Sequence, residues 1–141
     1  MHQDVAGIHC ILELHDCPCD LLDDERHVRR SVTAAARESA SELLSVTSHK
    51  FTPQGVTALG LLADSHVSIH TWPEAGYAAV DIFTCGAHCT PRRACDLLAD
   101  LFQAGEKRLL VVPRGRGVAS ASQARPSDVE MAGEGRCLDQ A

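Results

Sequence analysis

Residues 64–86 read DSHVSIHTWPEAGYAAVDIFTCG and hold the pattern that decides the fold. Apolar and polar residues alternate on both sides of a Pro-Glu-Ala-Gly turn, as in two consecutive strands joined by a short link. A further apolar run of strand length, over 56–63, comes just before them, so three strands follow one another and antiparallel pairing is favoured. The same segment is crowded with reactive groups, including two histidines, a serine and a cysteine.

Apolar periodicity predicts two helices and two more strands around this unit. A period of two is typical of a half-buried strand, whereas a stripe with a period near 3.6 indicates a helix. Acidic residues open the first predicted helix, and Thr90-Pro91 has the hydroxyl cap and first-turn proline of a helix start. The predicted elements are strands over 7–15, 56–63, 65–71, 77–83 and 107–113, and helices from 23–25 to about Val46 and over 91–104.

This order of elements predicts an α+β domain. We expect a two-layer sandwich, in which a mainly antiparallel sheet carries the helices on one face. The 141 residues are 45% hydrophobic and 23% charged, as in a soluble globular protein, and the net charge of -6 gives no basic surface for nucleic acid. No apolar run reaches the ~18 residues of a membrane span. The start, MHQDVAGIHC, lacks the features of a signal peptide, so we expect a cytoplasmic protein that binds neither nucleic acid nor membrane.

Seven cysteines are many for this length. Their odd number and the lack of a secretory signal argue against a disulfide framework, so thiols are predicted. A zinc site is the alternative, because Cys17-Pro-Cys19 and Cys85-x3-Cys89 resemble ligand pairs. Structural zinc sites usually place two residues between paired cysteines, which Cys-Pro-Cys does not match, and we predict no metal. The seven are Cys10, Cys17, Cys19, Cys85, Cys89, Cys95 and Cys137.

The reactive side chains of the central segment allow several chemical interpretations. A serine hydrolase needs a base near the nucleophile and a group that orients the base, which Ser65, His70 and Asp81 could supply. The chain has no Gly-x-Ser-x-Gly elbow before a helix, however. His66 and His70 share a strand face but lie about 13 Å apart at ~3.3 Å per residue, too far to share one metal ion easily. Each group, taken alone, is also compatible with an ordinary residue of a sheet.

The runs DSHVSIHTWPE and GYAAVDIFTCG closely resemble the prokaryotic S-adenosylmethionine decarboxylase proenzymes. The resemblance extends back through FTPQGV at 51–56 and, more loosely, to Gly7-x-His9 and the helix after Pro91. It covers about residues 7–113. It implies a pyruvoyl-dependent enzyme that is made by cleavage of its own chain.

The resemblance implies a cut between Asp64 and Ser65. The Ser65 hydroxyl would attack the Asp64 carbonyl and turn the peptide bond into an ester, and elimination would then break the chain, with His70 at the position of the family's processing base. The products would be a β chain of residues 1–64 and an α chain whose first residue, formerly Ser65, becomes a pyruvoyl group. The family usually has glutamate before this serine, and Asp64 keeps the acid with one methylene fewer.

The pyruvoyl group would be the cofactor of a carboxy-lyase. It would form a Schiff base with the substrate amine and accept the electrons that decarboxylation leaves on carbon, which no ordinary side chain can delocalise. Cys85 matches the family's proton donor, and a thiol is mostly protonated at neutral pH. Glu74 matches a residue that binds the nucleoside part of S-adenosylmethionine, and Phe51 one whose ring stacks on the adenine near the sulfonium. The product, S-adenosylmethioninamine, would be the aminopropyl donor of spermidine biosynthesis.

The resemblance also implies a homodimer of processed protomers, with the site completed at their interface. Residues 1–113 would form the decarboxylase domain. Residues 114–141, rich in glycine, arginine, serine and acids, are expected to form a flexible tail.

Two other functions stay open from the sequence. Some relatives are thought to decarboxylate arginine or ornithine with the same pyruvoyl chemistry, and carboxylates in place of an adenine stack would indicate such a substrate. The other possibility is an unprocessed, non-catalytic homologue that binds a small molecule or a partner subunit. Intact Ser65, His70 and Cys85 argue against it.

Overall fold

An antiparallel sheet forms one layer of the protein and helices form the other. The computed structural model describes residues 6–86 and 88–115, together with the backbone of 129–131. In these residues the sheet has seven strands in the order β2-β3-β4-β5-β1-β6-β7, all paired antiparallel. The predicted two-layer α+β fold is therefore confirmed. The strands are β1 (Gly7–His15), β2 (Leu43–Lys50), β3 (Val56–Leu62), β4 (His66–Trp72), β5 (Tyr77–Thr84), β6 (Glu106–Arg114) and β7 (Val129–Met131), and the helices are α1 (Cys19–Leu22), α2 (Glu25–Glu38) and α3 (Pro91–Leu101).

The core lies between the sheet and helices α2 and α3. Alternate residues of each central strand point into it, as the period of two requires, and the facing stripe of each helix closes it. Burial of each leucine or valine of this set contributes roughly 1.5–3 kcal/mol relative to exposure. Fully buried core residues include Cys10, Leu12, Leu14, Val28, Val32, Val67, Ile69, Ile82, Leu98 and Phe102.

No described element covers the opposite face of the sheet, which we call the open face. It carries the other alternating set, including His9 of β1, Leu59 of β3, His70 of β4 and Asp81 of β5. The predicted sharing of one strand face by His66, Ser68 and His70 is thus confirmed. His9, His70 and Asp81 therefore face away from the helices.

The predicted first helix is too long at its end. It was expected to reach Val46, but α2 ends at Glu38, and Ala40 then takes a left-handed backbone angle, φ 58°. The chain turns there into β2, which pairs with β3 at one side of the sheet. The acidic start is confirmed, since Asp24 caps α2 and accepts a hydrogen bond from the His27 backbone N–H at 3.1 Å.

The second predicted helix, α3, ends at Leu101, three residues earlier than predicted, because Gln103 has φ 48°. Its predicted cap also differs in detail. Thr90 occupies the cap position, but its hydroxyl donates to the Glu38 carbonyl at 2.7 Å rather than accepting from the helix. This bond ties the start of α3 to the end of α2.

The six cysteines within the described residues form no disulfide, which confirms thiols for them, and Cys137 lies outside that part of the chain. The backbone of 129–131 pairs with β6, and the rest of the predicted flexible tail beyond residue 115 lies outside the described residues. None of the described helices is long and apolar enough to cross a membrane.

Tyr77 stands on the open face between two other rings. Its ring stacks on His15 and on Trp72, with centroids 5.1 Å and 5.2 Å away, and its hydroxyl donates to the Glu13 carboxylate. Burial, and after it this hydrogen bond, raise the pKa of Tyr77 from 10.0 to about 12. The folded protein therefore binds the phenolic proton more tightly than the unfolded chain does. The resulting stability is complete below pH 10.0 and is lost as the pH rises through about 12.

We expect the ultraviolet absorbance of the phenolate to appear with a midpoint near pH 12 in the folded protein. Tyr77 is the sole tyrosine of the chain, so the titration reports one group. Glu13→Gln should lower the midpoint only in part, because burial of the ring remains. The same titration in denaturant is the control, and a folded-state midpoint at 10.0 would contradict the assignment.

Candidate active site

The predicted cleavage site lies in the short turn that joins β3 to β4. The Leu62 backbone N–H donates to the Ser65 carbonyl at 2.9 Å and closes the turn, and the Ala63 N–H donates to Glu42 at the same distance. The sequence predicted Ser65 as the first strand residue, whereas the structure places it within the turn. Because Ser65 lies outside the strand, its hydroxyl does not have to point to one of the two faces of the sheet.

The Ser65 hydroxyl lies beside an imidazole. Its Oγ is 3.0 Å from Nδ1 of His66, whose ring packs at a steep angle against Phe83 with centroids 6.2 Å apart. A neutral imidazole can accept the hydroxyl proton through Nδ1 if Nε2 carries its own hydrogen. The sequence alone predicted no role for His66. Its position next to the serine was the signal available.

Cys85 follows β5 and reaches the same turn. Its backbone N–H donates to Oδ2 of Asp64 at 3.4 Å. Gly7 packs closely against this segment, since a Cβ there would lie 2.5 Å from the Thr84 carbonyl oxygen and 3.1 Å from the Cys85 Sγ. The structure therefore brings Asp64, Ser65, His66 and Cys85 together, and we call these four residues the cleavage cluster.

His70 lies toward the other end of β4. Its Nδ1 is 2.9 Å from the Thr57 Oγ1 of the neighbouring strand, where the two residues are cross-strand partners. Phe51, 46% exposed, packs edge-on against His49 with centroids 4.6 Å apart, and His49 is in turn paired with Thr57. Glu74 is exposed in the single 3-10 turn that follows β4. We call Phe51, Thr57, His70 and Glu74 the His70 cluster, because the turn before β3 and the 3-10 turn after β4 lie at the same end of the sheet.

The turn that carries Phe51 is fixed by Asp23. The Asp23 Oδ1 accepts from Lys50 Nζ at 2.6 Å and from the Gly55 backbone N–H at 2.8 Å. The hydrogen bond from Lys50, and after it that from Gly55, lower the pKa of Asp23 below its ordinary value. Gly55 has φ 103°, which a residue with a side chain rarely adopts. The exposed ring of Phe51 is thus presented by an ordered turn.

The two clusters are separated along one strand. His66 and His70 are four residues apart on β4, roughly 13 Å at ~3.3 Å per residue, and Ser65 lies beyond His66 in the turn. Within this chain the structure does not bring together Ser65 and His70, the predicted processing base. The hydrogen-bond partner of His70 is instead Thr57, for which the sequence predicted no role.

Polar groups between the clusters form a chain across the open face. His9 Nε2 lies 2.9 Å from Asp81 Oδ1, and the Ser68 hydroxyl donates to Asp81 Oδ2 at 3.3 Å. Arg114 approaches the other ring nitrogen of His9 at 3.5 Å and stands over the Phe83 ring, 5.6 Å from its centroid. Asp81 in mid-strand therefore has the partners that a carboxylate in this position requires.

The fold and the site define a two-layer α+β protein with a serine hydroxyl beside an imidazole in a turn between two of its strands. The family model described as S-adenosylmethionine decarboxylase matches residues 8–115. The chain belongs to this family.

Related proteins and a solved structure agree with this placement. The chain is 56% identical over 100 residues to the S-adenosylmethionine decarboxylase proenzyme of Synechococcus sp. (strain WH7803), a match that covers 71% of this chain and 78% of that one. It is 50% identical over 121 residues to the proenzyme of Parasynechococcus marenigrum (strain WH8102), over 86% and 94% of the two chains. The crystal structure of the adenosylmethionine decarboxylase from Aquifex aeolicus VF5 superposes with a TM-score of 0.73 at 30% identity, over 86% of this chain and 99% of that one.

Proposed function

We propose that the chain is an S-adenosylmethionine decarboxylase proenzyme that cuts itself between Asp64 and Ser65. The observation that carries this proposal is the cleavage cluster, in which the Ser65 hydroxyl lies 3.0 Å from an imidazole nitrogen in a turn beside Cys85. Family membership supports the substrate, and the word proenzyme in the names of the relatives supports self-processing. The alternative of arginine or ornithine as substrate is not favoured, because the matching relatives are named for S-adenosylmethionine.

Self-cleavage uses only protein groups and one water molecule. His66 accepts the Ser65 hydroxyl proton as Oγ attacks the Asp64 carbonyl carbon, and the proton passes to the amide nitrogen as the C–N bond breaks. A base then removes the Cα hydrogen of residue 65, and the bond from Cβ to the ester oxygen breaks. Asp64 leaves as a carboxylate, and water replaces the nitrogen of residue 65, which departs as ammonia. The role that the resemblance implies for His70 is that of the base in this elimination.

The surroundings of residue 65 fit the pyruvoyl group that this reaction would leave there. The turn is half-buried, and Cys85, whose backbone N–H contacts Asp64, brings a thiol as proton donor to it. When formed, the group supplies the electron sink that decarboxylation requires. Cys85 would hold the proton that returns to the α carbon of the substrate.

The His70 cluster supports recognition of a nucleoside. The half-exposed ring of Phe51 offers a face for an adenine and for the sulfonium charge, a contact worth ~0.5–2 kcal/mol. The Glu74 carboxylate, exposed nearby, is able to accept hydrogen bonds from ribose hydroxyls.

A homodimer would unite the two clusters. A two-fold axis between facing open faces, crossing β4 near Ser68, would bring His70 of one protomer over the turn that carries Ser65 of the other. Large apolar side chains support such packing, since Leu59, Leu61 and Trp72 of the open face are 43%, 54% and 42% exposed. Several large apolar side chains exposed on one face are typical of an association site.

Intact mass and substrate turnover test the proposed function. We expect purified protein to contain two chains divided between residues 64 and 65, and to release labelled carbon dioxide from S-adenosylmethionine but not from arginine or ornithine. A single full-length species that resists hydroxylamine would support the non-catalytic binding protein instead. Turnover of arginine alone would overturn the choice of substrate but not the self-cleavage.

A further inference from the structure

The side chain of Asp64 is held by donors from two distant loops. Its Oδ2 accepts from the Cys89 thiol at 3.1 Å, from the Ser41 hydroxyl at 3.3 Å and, more weakly, from the Cys85 backbone N–H at 3.4 Å. The Ser41 Oγ and the Cys89 Sγ are themselves 3.6 Å apart, within hydrogen-bond reach. We call the two side chains, Ser41 and Cys89, the Asp64 clamp.

Both members of the clamp sit on fixed backbone. The Ser41 N–H donates to the Ala36 carbonyl at the end of α2, and the Cys89 N–H donates to the Gly86 carbonyl, at 3.1 Å in each case. The loops that carry them are joined directly by the bond from the Thr90 N–H to the Ser39 carbonyl at 2.9 Å. The backbone that carries both donors is therefore held by bonds that do not involve Asp64.

Cys89 is suited to act as a donor at neutral pH. Burial, and after it the hydrogen bond to Asp64, raise the pKa of the Cys89 thiol above its ordinary value. The thiol keeps its hydrogen and offers it to the carboxylate. A serine hydroxyl at the same place would offer an equivalent donor.

The other oxygen of Asp64 shows that this placement is costly. Oδ1 is buried and has no hydrogen-bond partner among the described residues. Buried acceptors are nearly always satisfied, and exceptions call for an explanation. The Asp64 carboxylate therefore has one buried oxygen without a hydrogen bond, directly beside the proposed cleavage bond.

We propose that Ser41 and Cys89 are positioning residues for self-cleavage, because they hold the Asp64 side chain and so fix the direction in which its carbonyl faces the Ser65 hydroxyl. The inference rests on the proposed self-cleavage and adds the means by which the bond is aligned. The rate of an intramolecular attack depends steeply on such alignment. The clamp acts on the formation of the ester, before the elimination.

The test follows cleavage over time during cell-free synthesis of the full chain, by denaturing electrophoresis. We expect Cys89→Ala and Ser41→Ala to slow cleavage about tenfold or more, since a misplacement of about 1 Å can cost a hundredfold. Cys89→Ser should restore a rate near that of the wild type. Cys19→Ala, which alters an exposed cysteine in α1, is the matched control and should have no effect.

Hydroxylamine separates the step on which the clamp acts from a general loss of structure. It cuts an ester that has already formed, so it should release chains in His70→Ala, which is expected to stop at the elimination, but should not speed Cys89→Ala. Rapid release in Cys89→Ala, or equal rates of cleavage in wild type, Cys89→Ala and Ser41→Ala, would overturn the clamp. If the wild type itself stays uncut, the proposed function fails rather than this inference.

Discussion

Co-expression of a Ser65→Ala chain with a His70→Ala chain is expected to restore cleavage to about half of the His70→Ala chains, the fraction that random pairing places in mixed dimers. Each variant alone should stay full-length, because the first lacks the nucleophile and the second lacks the base. In a mixed dimer the His70→Ala chain keeps its own Ser65 and meets an intact His70 from the other protomer. The separation of the two residues along β4 is the physical reason for this arrangement.

Two different affinity tags, one on each variant, allow the two chains to be purified together and distinguished by mass. Purification on both tags in turn isolates the mixed dimers, in which intact mass should show the His70→Ala chain cut and the Ser65→Ala chain whole. Co-expression of Ser65→Ala with a chain that carries both substitutions should give no cut and is the control. Cleavage of His70→Ala on its own, or none in purified mixed dimers, would contradict a site shared between protomers.

Loss of the Cys85 thiol is expected to separate the two reactions that the chain performs. Cys85→Ala should still be cut, since the contact of residue 85 with Asp64 comes from its backbone N–H, which alanine retains. Decarboxylation should fall by about a hundredfold or more, the usual cost of removing a positioned proton donor. Intact mass would measure the first property, and carbon dioxide released from labelled S-adenosylmethionine would measure the second.

Cys19→Ala is the matched control for this substitution, because it removes another thiol without touching the cleavage cluster. It should cut and turn over like the wild type. Cys85→Ser, which replaces the thiol by a far weaker acid, should resemble Cys85→Ala in turnover. Ordinary turnover by fully processed Cys85→Ala would show that the proton comes from another group.

The strands that carry the site could be predicted because their alternation is regular, whereas β2 could not. A bulge between Leu43 and Ser45 shifts the register of this strand, so that Leu43 and Val46 both pack toward the core although they are three residues apart. A spacing of three is also that of a helix stripe, and the preceding helix made its continuation the simpler interpretation. The pairing of this segment with the outer edge of β3 makes it a strand and not a continuation of the helix.

Some contacts of the candidate site join residues that are adjacent in sequence and could be predicted, whereas others form only when distant segments fold together. The cluster of Asp64, Ser65 and His66 is local, and the resemblance to the family supplied the first two of these residues. The hydrogen bond of Thr57 to His70 depends on the register of two strands, which the sequence does not specify. The clamp around Asp64 depends on two loops that meet only because α2 and α3 pack side by side.

The order of the strands bears on what the proposed cut would leave behind. Residues 1–64 supply β1, β2 and β3, and the residues after the cut supply β4, β5 and β6, yet β1 lies between β5 and β6. The two fragments are interleaved, so neither can depart without opening the middle of a sheet and the core beneath it. Once separated by denaturation, they would have to find each other again as independent molecules, and the cut bond would not reform. The mature protein would therefore owe its lifetime to the slowness of its unfolding rather than to its capacity to refold.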